Sequence, residues 1–357
     1  MRKVVYHEYG NPVNVLKIEN GPEPAAPGFG QVLVKVTKRP VHNGDLLVVK
    51  GGHDPIKREI PAEGYISGCE GVGIIQALGS GIGSARNLRV GDRVAFFAVG
   101  SWQESILIPA DFATPVPSDM DDELAAQLHI NPVAALLLTR LTTKIAASPK
   151  SGVLRISAVE AVLEDLGASR MEAGVVLLSA AGSLVARLAA TMLKAQGYTP
   201  IALVRSSALS EALQKATGIT VIGTDQENWQ EEVLKAAAGR KIFAALDAVG
   251  GHIGETLLTL LSPAGTLVSY GSLSGDPIPV DHVHLCMSAK TVCGIGMVHW
   301  TQLPYGSRAV EMASIIQLVR DNQKLFKIAG EFPLSEAADA VRLFRQPGRD
   351  GTVLLSS

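Results

Sequence analysis

The sequence predicts an α/β protein, with a doubly wound parallel sheet beside a second domain built mainly of short strands. Three observations carry this. Between 174 and about 297, six β-like runs alternate with helical stretches, the pattern of parallel strands joined by helical crossovers. From 1 to about 120, short runs rich in β-branched residues are separated by Gly, Pro and Asp. The 357 residues also exceed what one compact core usually holds.

In the first stretch, "QVLVKVTKRPV", "GVGIIQALG", "DRVAFFAV" and "QESILIP" predict strands of a barrel-like domain. At 121–147 the texture becomes helical, with an acidic first turn in "DDELAAQLHINPVAALLLTRLTTKIAA". The strands of the parallel sheet are "GVVLLSA", "PIALVR", "TVIG", "FAALDAV", "GTLVSYG" and "TVCGIG", with helices over 184–197, 208–217, 227–238 and 251–261. After them 307–320 reads as a helix, and "GTVLLS" as a strand returning to the first domain. The domains are therefore drawn as 1–125 for the first part of a catalytic domain, 126–297 for a nucleotide-binding domain, and 298–357 for the return. Segment 148–173 has helical texture, with Ser157 as a cap and Gly167 as a stop, and fits neither domain; it would cover a cleft mouth or extend a subunit interface.

Composition excludes several classes. The chain is 47% hydrophobic and 18% charged with a formal charge of −2, so it offers no basic field for nucleic acid or an anionic membrane. Three cysteines, Cys69, Cys286 and Cys293, form no CxxC pair and point to a reducing cytosol. The start "MRKVVYHEYG" lacks the apolar core of a signal peptide, and the most apolar stretches (132–138, 175–193) are too short or too interrupted to span a bilayer.

The stretch "LLSAAGSLVARLAA" can be a phosphate-binding turn or a packed strand–turn–helix. Small residues at Ala180, Ala181, Gly182 and Ser183, followed by Leu184, Val185 and Ala186, would let a pyrophosphate approach free N–H groups at a helix N-terminus. Leu184 stands where a dinucleotide turn usually has glycine. Arg205, 23 residues after Gly182, follows the next strand, with Ser206 and Ser207 beside it and no acid within 200–210. An arginine there suits the 2′-phosphate of NADPH, whereas an acid would suit the 2′-hydroxyl of NADH. The alternative is a surface arginine.

Together, "GQVLVKVTKRPVHNGDL", "GCEGVGIIQALGSGI", "LRVGDRVAFF", "GSWQESILIP", "HINPVAALLL", "LDAVGG", "LSPAGTLVSYGSLSGDPIPV", "GMVHW" and "FPLSEAADAVRLFRQPGRDGTVLL" resemble, in order, the medium-chain dehydrogenase/reductase superfamily. Within it they look closest to the zinc-independent quinone reductase and enoyl-thioester reductase branches. The resemblance implies a Rossmann domain with a GroES-like β-barrel catalytic domain, an active-site cleft at their junction, a dimer or tetramer with a homodimer expected, and no metal. It places Asn131 near the nicotinamide, with Ala134 in place of an expected threonine, and Gly250, Gly251, Gly271 and Ser272 at the cofactor. Trp102 and Trp300 would line the substrate cleft, with Tyr65 and Phe97 as weaker candidates. The branch's tyrosine donor is matched by His53, with His42 and Asn43 beside it as further catalytic candidates; Asp45 and Glu70 would hold the cleft together. The expected reaction is NADPH-dependent reduction of an activated C=C bond in an enoyl thioester or enone. The alternatives are a quinone reductase, an inactive NADPH-binding protein, and a zinc alcohol dehydrogenase using His42, Cys69 and Glu70, with His129 nearby.

Overall fold

Continuous apolar runs become strands buried on both faces in the sheet of Ala134–Gln302, one of two compact units of the chain. The computed structural model describes residues 1–52, 59–83, 86–147 and 174–357. Strands β9 (Val175–Leu178), β10 (Thr199–Val204), β11 (Thr220–Gly223), β12 (Ile242–Asp247), β13 (Thr266–Ser269) and β14 (Thr291–Gly294) form one sheet, ordered β11-β10-β9-β12-β13-β14. Every neighbouring pair is parallel. The strand order reverses between β9 and β12, where doubly wound sheets open a crevice at their carboxyl ends.

The helices of seven residues or more in the described chain are α1 (Asn43–Val49), α2 (Ile130–Ala147), α3 (Leu184–Ala195), α4 (Ser210–Thr217), α5 (Trp229–Ala237), α6 (Gly251–Leu260), α7 (Tyr305–Asp321) and α8 (Ala337–Arg345). Helix α3 buries Leu184, Ala186, Leu188, Ala189, Ala190 and Leu193, so small residues let it lie close to the sheet. Leu257, Trp229 and Val233 complete the other face of the core with Val175, Leu177, Ile201 and Leu267. Helix α4 stops at Gly218, whose φ of +63° supplies the left-handed cap that glycine adopts without strain.

The other unit is Met1–Val133 with Leu303–Ser357. Its long strand β3 (Gln31–Pro40) pairs antiparallel with β5 (Glu70–Leu78), β7 (Ser105–Pro109) and β16 (Thr352–Ser356). β6 (Arg93–Phe97), β8 (Ala113–Pro115) and β15 (Ile328–Pro333) complete a seven-stranded sheet, and β1 (Arg2–Tyr6), β2 (Lys17–Asn20) and β4 (Tyr65–Ile66) form a second sheet. The "GTVLLS" strand thus returns to the first domain through Leu355 opposite Arg39. Arg39 is fully buried and donates to the carbonyls of Ser101 and Gln103 and to Ser357 Oγ. Burial lowers its pKa to about 9, which leaves the guanidinium charged at neutral pH.

The helical texture of 121–147 resolves into two helices, Asp122–Ala125 and α2. The "HNGDLLVV" stretch holds helix α1, with the His42 N–H donating to Asp45 Oδ2 at 2.9 Å. Segment 148–173, with Ser157 and Gly167, lies outside the described residues. Among the described residues no helix is long and apolar enough to cross a membrane.

Candidate functional site

In the parallel-sheet unit, β9 ends in a turn whose backbone is set by Ala180, with a φ of +48°. That conformation strains an alanine by roughly 1 kcal/mol and is the kind usually given to glycine. The Ala181 N–H donates to Leu203 O at 2.9 Å, and Ser183 N–H to Ala180 O at 2.8 Å. Ser183 then caps α3, its Oγ accepting from the Ala186 N–H at 3.2 Å. Gly182 is exposed, and a Cβ there would meet nothing within 4 Å. The turn therefore presents bare backbone and first-turn N–H groups, in the shape an anion needs. Leu184 turns inward and is buried, so its side chain leaves that face open; Val185 is half-buried on the same turn.

Beneath the crevice, Ser179 Oγ donates to Asp247 Oδ1 at 2.6 Å, joining the ends of β9 and β12. Asp247 also accepts from the N–H of Val249 and of Gly250, each at 2.9 Å, and the Ala248 N–H donates to Ser179 Oγ. Both side chains are buried, and sequence reasoning missed both; the aspartate closing "FAALD" beside two glycines was the available signal. The 270–276 loop binds this turn through Leu273 N–H to Ala248 O and Ser274 N–H to Val249 O, each at 2.9 Å. A Cβ on Gly250 would lie 3.0 Å from Asp276 O, and one on Gly271 3.0 Å from Ala248 O. The close approach of two loops leaves little room for a side chain at either position, and the φ of +77° at Gly250 further favours glycine there, beside the half-buried Ser272. Arg205 is exposed directly after β10, and Ser206 follows it. Trp300 is buried in the short helix Met297–Thr301.

In the β-rich unit, His42 Nε2 donates to Glu70 Oε1 at 2.6 Å. Glu70 Oε2 accepts from the N–H of His129 and of Ile130, both at 2.9 Å, so a buried carboxylate from β5 caps α2. Asn131, half-buried, sits on that first turn, and Asn43, also half-buried, begins α1. This contact links His42 to the backbone that carries Asn131. Burial disfavours charge on His42, yet its hydrogen bond to Glu70 and the charges of Glu70 and Asp45 outweigh that and raise its pKa, against an opposing effect of Arg349. His129 goes the other way. Burial lowers its pKa to about 4, and Glu70 only partly opposes this.

That depression has a measurable consequence. His129 folds neutral, so its contribution is present above its ordinary value of 6.5 and is lost as pH falls toward about 4. The loss amounts to roughly 3 kcal/mol. His129→Gln is expected to flatten the acid limb of stability between pH 6.5 and 4 in urea titrations; an unchanged limb would refute this assignment.

Trp102 is fully buried in the core with Val4, Leu46 and Leu355, and its Nε1 donates to Pro40 O at 3.4 Å. It packs on Gly68, where a Cβ would be 2.1 Å from its Cδ1. This placement makes it a packing residue rather than a cleft-lining one. Tyr65 and Phe97 stack on Tyr6 and Phe112, with centroids 5.9 and 6.0 Å apart. His53 lies outside the described residues.

The donor set here does not fit a catalytic zinc. His42 Nε2 is held by Glu70, and among the described residues no group of three or more His, Cys, Asp and Glu converges on a metal position.

Comparison with known proteins follows this geometry. Residues 28–118 match the family model of the alcohol dehydrogenase GroES-like domain, and 182–312 that of the zinc-binding dehydrogenase. The mitochondrial enoyl-[acyl-carrier-protein] reductase of Dictyostelium discoideum is 26% identical over 99% of this chain and 94% of its own length. A protein of Bacillus thuringiensis described as an NADPH:quinone reductase superposes with a TM-score of 0.82 at 27% identity, covering 100% of this chain and 98% of its own. The Escherichia coli quinone oxidoreductase complexed with NADPH gives 0.81 at 21% identity, with 100% of each chain covered. A GroES-like domain and a doubly wound dehydrogenase domain in succession, with relatives matched nearly end to end, establish that the chain belongs to the medium-chain dehydrogenase/reductase superfamily.

Proposed function

We propose that this oxidoreductase uses NADPH to reduce an activated carbon–carbon double bond in an enoyl thioester or enone, without metal. The observation that carries the reading is the open turn at Gly182, at the switch point of the sheet, with Arg205 exposed at the end of the adjacent strand. These residues fit the cofactor. Gly182, Leu184 and Val185 would hold the pyrophosphate through backbone N–H groups, Ala181 and Ser183 would fix the turn that presents them, and Arg205 with Ser206 would take the 2′-phosphate. Gly250, Gly271 and Ser272 would border it along the paired loops, and Asn131 would meet the nicotinamide. NADPH, when bound, supplies the hydride that goes to the β-carbon of the acceptor.

The chain's own part is orientation and control of charge at the acceptor carbonyl. His42 is committed to Glu70, so we give the proton-donor role to His53, on its place after "HNGDL", and make His42 a positioning residue. Asn43, at the start of α1, would contact the acceptor carbonyl. Support for the acceptor class comes from relatives named as enoyl-[acyl-carrier-protein] reductases. An acceptor panel of enoyl thioesters, enones and quinones, read as NADPH oxidation, tests this. Turnover of the thioesters or enones, reduced in His53→Gln, is expected. Turnover of quinones alone would replace the reading by quinone reduction, and no turnover despite cofactor binding would indicate an inactive binding protein.

We also propose a homodimer in the cytosol. Strand β14 is an open sheet edge, and Val283, Met287, Val292 and Val298 are exposed on and near it. The three cysteines carry no disulfide. Light scattering is expected to give a dimer that Val292→Lys dissociates; a monomer for the unaltered chain would refute it. Fractionation of cells tests the compartment, and recovery in an organelle would overturn the cytosolic assignment.

A further inference from the structure

We infer that Asp225 is a positioning residue for the 2′-phosphate of NADPH, because it holds the Arg205–Ser207 turn across the end of β11. The inference rests on the reading of Arg205 given above. Val204 lies opposite Gly223 in the β10–β11 register, and the Thr224 N–H donates to Val204 O at 2.8 Å, carrying the pairing past both strands. The chain then crosses over Gly223. A Cβ at 223 would lie 2.5 Å from both Ser207 Cα and Ser207 N, and 2.7 Å from Asp225 Oδ1. Only a bare backbone lets the turn lie there.

Asp225 fastens it. The Ser207 N–H donates to both carboxylate oxygens, at 2.9 Å to Oδ1 and 3.1 Å to Oδ2, and Ser207 Oγ donates to Oδ2 at 3.1 Å. An acid near this point of a dinucleotide fold would ordinarily accept from the ribose 2′-hydroxyl and favour NADH. Here both oxygens of the carboxylate are occupied by Ser207, so the acid serves the turn instead. Arg205 and Ser206, on the near side of that anchor, remain exposed or half-buried and available to an anion. Asp225 itself is exposed, so water and salt screen its repulsion of a phosphate, and its anchoring role prevails. The 2′-phosphate pocket is thereby built from two strand ends, 18 residues apart at Ser207 and Asp225.

Titrations with NADPH and NADH, followed by nicotinamide fluorescence, separate the possibilities. Asp225→Ala and Gly223→Ala are expected to weaken NADPH binding roughly five- to twentyfold, the loss of one or two hydrogen bonds to a charged group, while NADH changes by less than about twofold. Asp225→Asn keeps an acceptor for the Ser207 N–H and is expected to stay within about threefold of the unaltered protein. NADPH binding unchanged or tightened in Asp225→Ala, or both nucleotides weakened alike, would overturn the inference. Arg205→Ala is the control for the underlying reading. If it loses NADPH selectively while Asp225→Ala does not, only the role of Asp225 fails; if it leaves NADPH binding intact, the phosphate assignment falls first.

Discussion

Replacing Glu70 with alanine is expected to destabilise the β-rich unit by roughly 3–5 kcal/mol, the cost of breaking a buried ion pair from one side. Its carboxylate takes three hydrogen bonds, from His42 Nε2 and from the backbone N–H of His129 and Ile130. Alanine would leave two buried donors at the start of α2 and strip His42 of its partner. Glu70→Gln can still accept from both N–H groups and donate to neutral His42, and is expected to lose only about 1–2 kcal/mol. The pH dependence identifies the cause. His42 has a raised pKa in the folded chain, so the pair's contribution is complete below the ordinary value of 6.5 and is lost as pH rises through the folded value. Both variants should therefore lose most below pH 6.5 and less as pH rises through the raised folded value, while the cost of the two unpaired N–H donors remains at every pH in Glu70→Ala. Urea unfolding across pH, with hydrogen exchange at the His129 and Ile130 amides, measures this. Slow exchange of both amides in Glu70→Ala would contradict the cap.

Asp247→Ala is the second large effect, at roughly 2–5 kcal/mol, since each buried donor left without a partner costs about 1–3 kcal/mol and the turn can relax only in part. Three donors depend on the carboxylate: Ser179 Oγ and the N–H groups of Val249 and Gly250. The damage should fall on the crevice as well as on stability, because those groups tie the end of β9 to the loop beside Gly271. Asp247→Asn retains one acceptor, and Ser179 can reverse its hydroxyl, so a smaller loss is expected. Thermal unfolding and NADPH affinity should fall together in Asp247→Ala. A stable variant that binds NADPH normally would show that the Ser179–Asp247 contact does not organise the crevice.

Much of the fold was legible in local pattern. "FAALDAV" is apolar without alternation and flanked by turn residues, as β12 requires when helices cover both faces. The phosphate turn was legible in its small residues, though the inward turn of Leu184 was not, because rotamer and burial follow from packing. Contacts between distant segments left no such trace. Glu70 caps a helix about sixty residues further on, and that contact accompanies a break at His129 that the helical spacing of 121–147 conceals. The start of α1 before the run "LLVV" is marked only by Asp45 accepting back from the His42 N–H, a contact that composition does not reveal. Asp225 lay outside the 200–210 window because the adjacent strand end, not the chain, brings it to Ser207.

The most direct test of the oxidoreductase account is the titration of the unaltered protein and Arg205→Ala with NADPH, with NADH as control, followed by nicotinamide fluorescence. The account predicts tight NADPH binding that falls roughly ten- to a hundredfold in Arg205→Ala, with NADH weak in both. Equal binding of the two nucleotides, or binding of neither, would contradict it.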